Sequence, residues 1–246
     1  MRTPITIVIP TLNEASQIVE CVRHLAWADE VIVVDAASTD DTVGLARTAG
    51  ARVVDRAAPG IAEQRNAGSA TASHDWIFAL DADERVDPAL AGELAAVVAA
   101  PARAAYAVKR RNLFHGRPMR RGHWGRDWVV RLFRRGLRFG GSTAHPALEG
   151  VNAVGRLVHE LDHTPYRDLA HHVQKMITYG QMGAADLVAR GRRARWSDLV
   201  VRPVFRFWRD YLLQGAVLDG RLGVVYAGTS AMATFLKYAF LWERSR

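Results

Sequence analysis

The sequence predicts an α/β protein built on a Rossmann-like, mostly parallel sheet with helices on both faces and a C-terminal helical extension. Three observations predict it. Short β-branched runs alternate with helical stretches over the first 100 residues. Polar and acidic clusters follow those runs directly. From about residue 167 onward, apolar residues recur at helical spacing.

In order, Ile5–Ile9 reads as a buried strand, and residues 14–26 place Ile18, Cys21, Val22 and Leu25 at helical spacing. Val31–Val34 is a second strand. Residues 42–49 form a short helix stopped by Gly50. Arg52–Asp55 is a third strand, Pro59-Gly60 a turn, and residues 61–72 a helix. Trp76–Leu80 is a fourth strand, and Pro88 opens a helix carrying Leu90, Leu94, Val97 and Val98. Tyr106–Phe114 and Trp128–Arg134 read as extended. A helix from about 167 to 190, with Leu169, Val173, Met176 and Ile177 in one stripe, precedes a basic break and two further helical stretches at 197–214 and 222–243.

An apolar fraction of 49% against 24% charged residues excludes a disordered chain. The single cysteine, Cys21, excludes a disulfide framework and fits a reducing compartment. The N-terminus runs straight into a strand, and no signal peptide is read there. Charge is divided unevenly. Residues 1–100 carry 7 Lys/Arg against 15 Asp/Glu, and residues 101–246 carry 26 against 10, within a net charge of +8. The basic part calls for an anionic partner. Near the C-terminus the uncharged run Leu222–Leu236 is shorter than the roughly 20 residues a bilayer span needs. The expectation is therefore an interfacial helix pair, with Arg202, Arg206 and Arg209 toward headgroups and Trp208, Tyr211 and Leu212 dipping inward. The plainer alternative is a helical cap with a solvated basic face.

Ligands of an open parallel sheet bind beyond the carboxyl ends of its strands. Those ends carry Pro10-Thr11-Leu12-Asn13-Glu14, then Asp35 to Asp41, then Asp81-Ala82-Asp83-Glu84. Asp40 and Thr42 read as helix caps. Three carboxylates within four residues do not, because they repel unless a cation neutralises them. Mg²⁺ or Mn²⁺, completed by phosphate oxygens, suits such oxygen ligands.

Pro10-Thr11-Leu12-Asn13-Glu14, Val33-Val34-Asp35-Ala36-Ala37-Ser38-Thr39-Asp40, Arg65-Asn66-Ala67-Gly68 and Asp81-Ala82-Asp83 together resemble the successive motifs of family 2 glycosyltransferases, in that family's order. The resemblance implies a GT-A fold. It assigns residues 1–104 to nucleotide-sugar binding, 105–165 to acceptor binding within the same domain, and 166–246 to a membrane-surface tail. It also implies that Pro10, Thr11, Asn13, Glu14 and Ser38 line the nucleotide-sugar pocket and that Asp35 meets the base, typically uracil. Arg65 would lie near the diphosphate or order the acidic loop. Asp81 would touch ribose or sugar, and Asp83 would hold Mn²⁺ or Mg²⁺.

Arg111 to Arg117, Gly122 to Asp127 and Arg131 to Arg135 resemble a narrower branch, the lipopolysaccharide-core glucosyltransferases. That branch usually reads His-Glu where this chain has His145-Pro146. Trp124, Arg131 and His145 are the acceptor-side candidates. The Gln-x-x-Arg-Trp motif of processive synthases is absent from the sequence, which favours single sugar addition. A general base must take the acceptor proton. Asp127, amid basic and aromatic residues, is the candidate, with simple pairing to Arg126 or Arg131 as its alternative.

His159-Glu160-Leu161-Asp162-His163 matches the zincin pattern. Thr164-Pro165 follows at once, so a helix would end just past the second histidine, and no third ligand continues the motif. His171-His172 reads as a helix-surface pair. The dinucleotide and P-loop glycine patterns are absent from the sequence, and the basic runs lack any nucleic-acid-binding motif.

The expectation is inverting transfer of a hexose from a UDP-sugar to a lipid-linked or lipopolysaccharide-core saccharide, at the cytoplasmic face of the inner membrane. The other readings are a sugar-nucleotide nucleotidyltransferase, which would need a Gly-rich phosphate loop after the first strand, and a non-catalytic membrane-binding module.

Overall fold

The computed structural model describes residues 3–55, 60–114, 116–121, 124–142 and 145–245. The chain forms two compact units: Met1–Arg110 with Trp128–His163, and Arg111–Asp127 with Thr164–Arg246.

In the first unit, β1 (Thr3–Thr11), β2 (Ala28–Asp35), β3 (Arg52–Asp55) and β4 (Trp76–Ala79) form a parallel half-sheet, interleaved with α1 (Ile18–Arg23), α2 (Thr42–Thr48) and α3 (Ile61–Thr71). Then come β5 (Glu84–Arg85), α4 (Pro88–Ala99), β6 (Ala105–Phe114), β8 (Trp128–Arg134) and β11 (Gly155–His163). The sheet runs β3-β2-β1-β4-β8-β6-β11-β5. β8 lies antiparallel to β4 and β6, and β11 antiparallel to β5. The parallel order expected from the first 100 residues holds for β1 to β4, and the later strands reverse it.

The period-two alternation of β1 decides the layers. Ile5, Ile7 and Ile9 face one core with Ile18 and Cys21 of α1, Leu25 in the turn after it, Ala46 of α2, and Leu90 and Leu94 of α4. Val8 faces the other with Ile32, Val34 and Ile77, against Ala62 and Ala67 of α3. Helices therefore cover both faces. Asp87 caps α4 by accepting from Leu90 N at 2.8 Å, ahead of Pro88. Helix α1 is shorter than the apolar spacing suggests, because residues 14–17 form a turn rather than helix.

The second unit holds β7 (Arg117–Pro118), a 3-10 turn at Trp124–Arg126, α5 (Leu169–Ala189), α6 (Trp196–Trp208) and α7 (Arg221–Arg244). α6 continues through a π-helical turn at Arg209–Leu213. Residues 111–127 join this unit rather than one continuous 105–165 part. Phe114 and Met119 bury against Ala216 and Tyr226, with Trp124 and Tyr166 packed alongside. Helix α7 matches the helical stretch expected at 222–243, and only the comparison of its 15-residue uncharged run with a bilayer span is corrected. It continues through Lys237 for 24 residues, long and apolar enough by length and composition to cross a membrane. Within the unit it packs against α5 and α6. A single lysine does not end a helix, since its aliphatic stem packs with the apolar face.

Candidate functional site

The carboxyl ends of β1, β2 and β4 lie on one rim, because Thr11 is level with Asp35, and Val8 with Ala79. At this rim the first two motifs interlock. Asp35, 3% exposed, accepts from Thr11 Oγ1 at 3.0 Å, Ser38 N at 2.8 Å and Ser38 Oγ at 2.6 Å. Ser38 Oγ in turn accepts from Asn13 N at 2.8 Å, and Asn13 Oδ1 accepts from Thr39 N at 2.8 Å. Glu14 N donates to Thr42 Oγ1 at 2.8 Å. Asp40 accepts from Thr42 N at 3.1 Å just ahead of α2, whose N-cap position is Asp41 rather than Asp40 or Thr42. Asn13 and Ala37 hold φ of 59° and 61°, a conformation that non-glycine residues adopt at a cost. Thr11, Asp35, Ser38 and Asn13 are thus joined by one hydrogen-bond chain, with Pro10 just before Thr11 on β1 and Glu14 tied separately to Thr42.

The third motif supports the fourth. Arg65 Nη2 donates to Asp81 Oδ1 at 2.7 Å. Asn66 brackets the backbone of Phe139 with two 2.8 Å bonds. Gly68 lets α3 approach the sheet, since an added Cβ would overlap Val8 and lie 2.9 Å from Val34 Cγ2. Of the two roles implied for Arg65, ordering the acidic loop is the one its contacts fit.

Arg131, expected on the acceptor side, lies beneath the acidic loop instead. It is 2% exposed and donates to Asp81 Oδ2 and, at 2.5 Å, to Glu84 Oε1. Glu84, fully buried, also accepts from Asp81 N at 2.9 Å, and Arg110 Nη1 stands 3.6 Å from it. Burial would raise the Asp81 carboxyl, but the Arg131 and Arg65 guanidiniums hold it well below the usual range. Burial pushes Glu84 up against the pull of Arg131. Burial would likewise lower Arg131, yet Asp81 and Glu84 keep it charged.

The loop therefore sorts its carboxylates. Asp81 and Glu84 are clamped by arginines, and Asp83 faces His163, whose Nε2 is 3.6 Å from Asp83 Oδ2. His163 is a site residue that the sequence marks only as the second histidine of the zincin pattern. It is delivered by β11, whose His163 is level with Glu84 of β5. That strand also disposes of the zincin pattern. Its two histidines lie four residues apart on a strand, roughly 13 Å, too far to share one ion. His159 instead bonds Glu93 at 2.9 Å.

In the second unit, buried Asn112 donates to Trp124 O at 3.0 Å and to Asp127 Oδ2 at 3.2 Å. Asp127 thus has an amide partner in Asn112. His145 opens β10 (His145–Leu148), which pairs with β9 (Phe139–Ser142), and its side chain lies outside the described residues. His115, Gly122 and His123 of the narrower motifs also lie outside them.

Residues 6–157 match the family model described as glycosyl transferase family 2. The chain belongs to glycosyl transferase family 2. This glycosyltransferase is 29% identical over 272 residues to the lipopolysaccharide core biosynthesis glycosyltransferase LpsC of Rhizobium meliloti, covering 99% of this chain and 93% of that protein. It is 27% identical to an uncharacterized glycosyltransferase of Rickettsia typhi, over 96% of this chain and 86% of that one. Among solved structures it is similar to glucosyl-3-phosphoglycerate synthase from Mycobacterium tuberculosis, in complex with Mn²⁺, UDP and glucosyl-3-phosphoglycerate. The TM-score is 0.38 at 29% identity, over 46% of this chain and 44% of that one. Family membership makes the chain an enzyme and removes the nucleotidyltransferase and non-catalytic readings.

Proposed function

We propose that this glycosyltransferase moves a hexose with inversion from a nucleoside diphosphate, UDP first among them, to a lipid-linked or lipopolysaccharide-core saccharide. The observation that carries the donor half is the sorting of the acidic loop. Arg65 and Arg131 neutralise Asp81, while Asp83 is left to His163. A divalent cation fits these residues on donor chemistry. Asp83 offers the hard carboxylate oxygen that Mn²⁺ or Mg²⁺ takes, and diphosphate oxygens and water would fill the remaining positions. When bound, the ion would neutralise charge on the departing diphosphate.

The chain's own residues do the rest. A carboxylate has about four lone-pair sites. Asp35 uses three internally, leaving one for an imide N–H such as that of uracil. The bonds of Thr11, Asn13, Glu14 and Ser38 fix that loop before the donor arrives, so little ordering is needed on binding. Asp127, held by Asn112, takes the acceptor hydroxyl proton as that oxygen attacks the anomeric carbon from the far face.

The lipopolysaccharide-core relative supports a glycolipid acceptor, and the surface of α6 supports work at a membrane. Trp196, Val200, Val204, Phe205, Trp208 and Leu212 are all 45% or more exposed and recur at helical spacing. Arg202 and Arg209 lie beside this stripe, paired with Asp198 and Asp210 yet still partly exposed, as an anionic bilayer surface requires. Tyr211, expected to dip inward, is half-buried instead. Surface association on the cytoplasmic side of the inner membrane follows from this reading.

The test is transfer from UDP-hexose to a delipidated core-oligosaccharide mixture, with product configuration read by NMR. A β-linked product from an α-linked donor, lost in Asp127→Asn with donor binding intact, supports the proposal. A retained configuration, or full activity in Asp127→Asn, overturns the inverting mechanism or the base.

A further inference from the structure

The second unit holds a half-open cavity of about 310 Å³ that the donor-site residues do not line. Its lining is unlike that of a lipid-tail pocket. Among the described residues it contains no Leu, Ile, Val or Phe. One wall is aromatic. Trp124 stacks with Tyr166 at 5.9 Å between ring centroids and tilts against Tyr226 at 5.3 Å. The opposite character comes from α7, where Tyr226, Ser230, Thr234 and Lys237 recur every three or four residues and so share one face. Arg206 of α6 adds a second cation.

The local charge does not balance. Buried Asp198 pairs with Arg202 at 2.5 Å and Arg192 at 3.5 Å. Buried Asp210 pairs with Arg206 at 2.6 Å and Arg209 at 2.9 Å. Each carboxylate is shared by two arginines, and Lys237 stands among them as a fifth cation. It is the one charged residue between Arg221 and Glu243 in an otherwise apolar helix. Burial, and then the neighbouring Arg202, Arg192 and Arg206, push its ammonium pKa down. The Tyr238 ring, 4.9 Å from Lys237 Nζ, offsets part of that cost, and an anion would offset the rest. Glycines on α5 make room for it, since a Cβ at Gly183 would lie 3.1 Å from Lys237 Cδ.

We propose that this cavity binds a phosphorylated saccharide, with the sugar ring on the Trp124, Tyr166 and Tyr226 wall and the phosphate against Lys237 and Arg206. The C–H face of a sugar ring matches an aromatic face, and its hydroxyls match Ser230 and Thr234. The phosphate supplies the charge that the arginine and lysine cluster lacks. The inference rests on the reading of an anionic glycan acceptor and adds where its phosphate is held. All donor-site residues lie in the first unit, so the two claims fail separately.

The experiment is calorimetric titration of the full chain with glucose 6-phosphate, glucose, inorganic phosphate, and phosphatidylglycerol–phosphatidylcholine vesicles. UDP-glucose binding is measured on the same samples. The expected result is saturable glucose 6-phosphate binding at least tenfold tighter than glucose or phosphate. Lys237→Gln should weaken it at least tenfold, and Tyr226→Leu should reduce it toward the level of phosphate. Lys237→Gln should not lower the melting temperature, because it removes a strained charge, and UDP-glucose binding should be unchanged. Three results overturn the proposal: no saturable glucose 6-phosphate binding while UDP-glucose binds, equal affinity in Lys237→Gln, or a Lys237-dependent response to vesicles alone, which would make the site one for lipid headgroups.

Discussion

Replacing Arg131 by methionine removes the cation that joins Asp81 to Glu84. Asp81 keeps Arg65 at 2.7 Å, but fully buried Glu84 is left with Arg110 at 3.6 Å. Removing one partner of a buried ion pair costs about 3–5 kcal/mol, because the remaining charge is stranded. With Arg110 and Arg65 as partial substitutes, the lower end, about 3 kcal/mol, is expected. For a chain of this size that is a fall in Tm of roughly 6–12 °C. Glu84→Gln should cost less, about 1–2 kcal/mol, since its carbonyl still accepts from Asp81 N. The double variant should recover about 1–3 kcal/mol of the summed losses, because no buried carboxylate is stranded at position 84. Urea unfolding followed by tryptophan fluorescence, without metal or nucleotide, measures all three. Strict additivity, or a loss below about 1 kcal/mol for Arg131→Met, would refute the clamp.

Gly68→Ala should lower the urea midpoint by the equivalent of about 1–3 kcal/mol, because the new methyl meets Val8 and Val34 in a packed layer. Burial pushes the Cys21 thiol from 9.0 to about 12, so a thiol reagent at pH 8 should label it only on unfolding. The folded-state value lies above the unfolded one, so the stability this thiol contributes is complete below about pH 9 and is lost as pH rises toward 12. Chemical denaturation across that range reads the decline. Phe205→Glu on the exposed α6 stripe should reduce sedimentation with anionic vesicles at least tenfold while leaving donor binding unchanged. Equal sedimentation would remove α6 as the membrane face.

The four parallel strands, their helices and the rim loops were legible because local pattern determines them: β-branched runs, capping residues and acidic clusters sit contiguously in sequence. Asp35 and Asp81 are placed by strand ends alone. His163 and Arg131 were not legible as partners of the acidic loop, because pairing between distant strands leaves no local trace. The alternation was nonetheless present in β11, where Leu157 and Leu161 are buried and Val158 is 84% exposed. The H-E-x-x-H spelling drew attention to a helical reading of the same residues. The helix at 222–243 was legible from its spacing, and only its comparison with a bilayer span, made on the uncharged run Leu222–Leu236, left out the turns beyond Lys237. The phosphate cavity depends on three helices and Trp124 converging, which no single segment encodes.

The most direct test of the central claim is donor binding by calorimetry, with UDP-, GDP-, ADP- and dTDP-sugars, with and without Mn²⁺, on wild type and Asp83→Ala. The account predicts that one nucleotide sugar, a UDP-sugar, binds with an affinity that depends on Mn²⁺. Asp83→Ala should abolish that dependence with little change in melting temperature, since Asp83 is partly exposed and outside the arginine clamp. Metal-independent binding of every donor, or metal-dependent binding undiminished in Asp83→Ala, would contradict it.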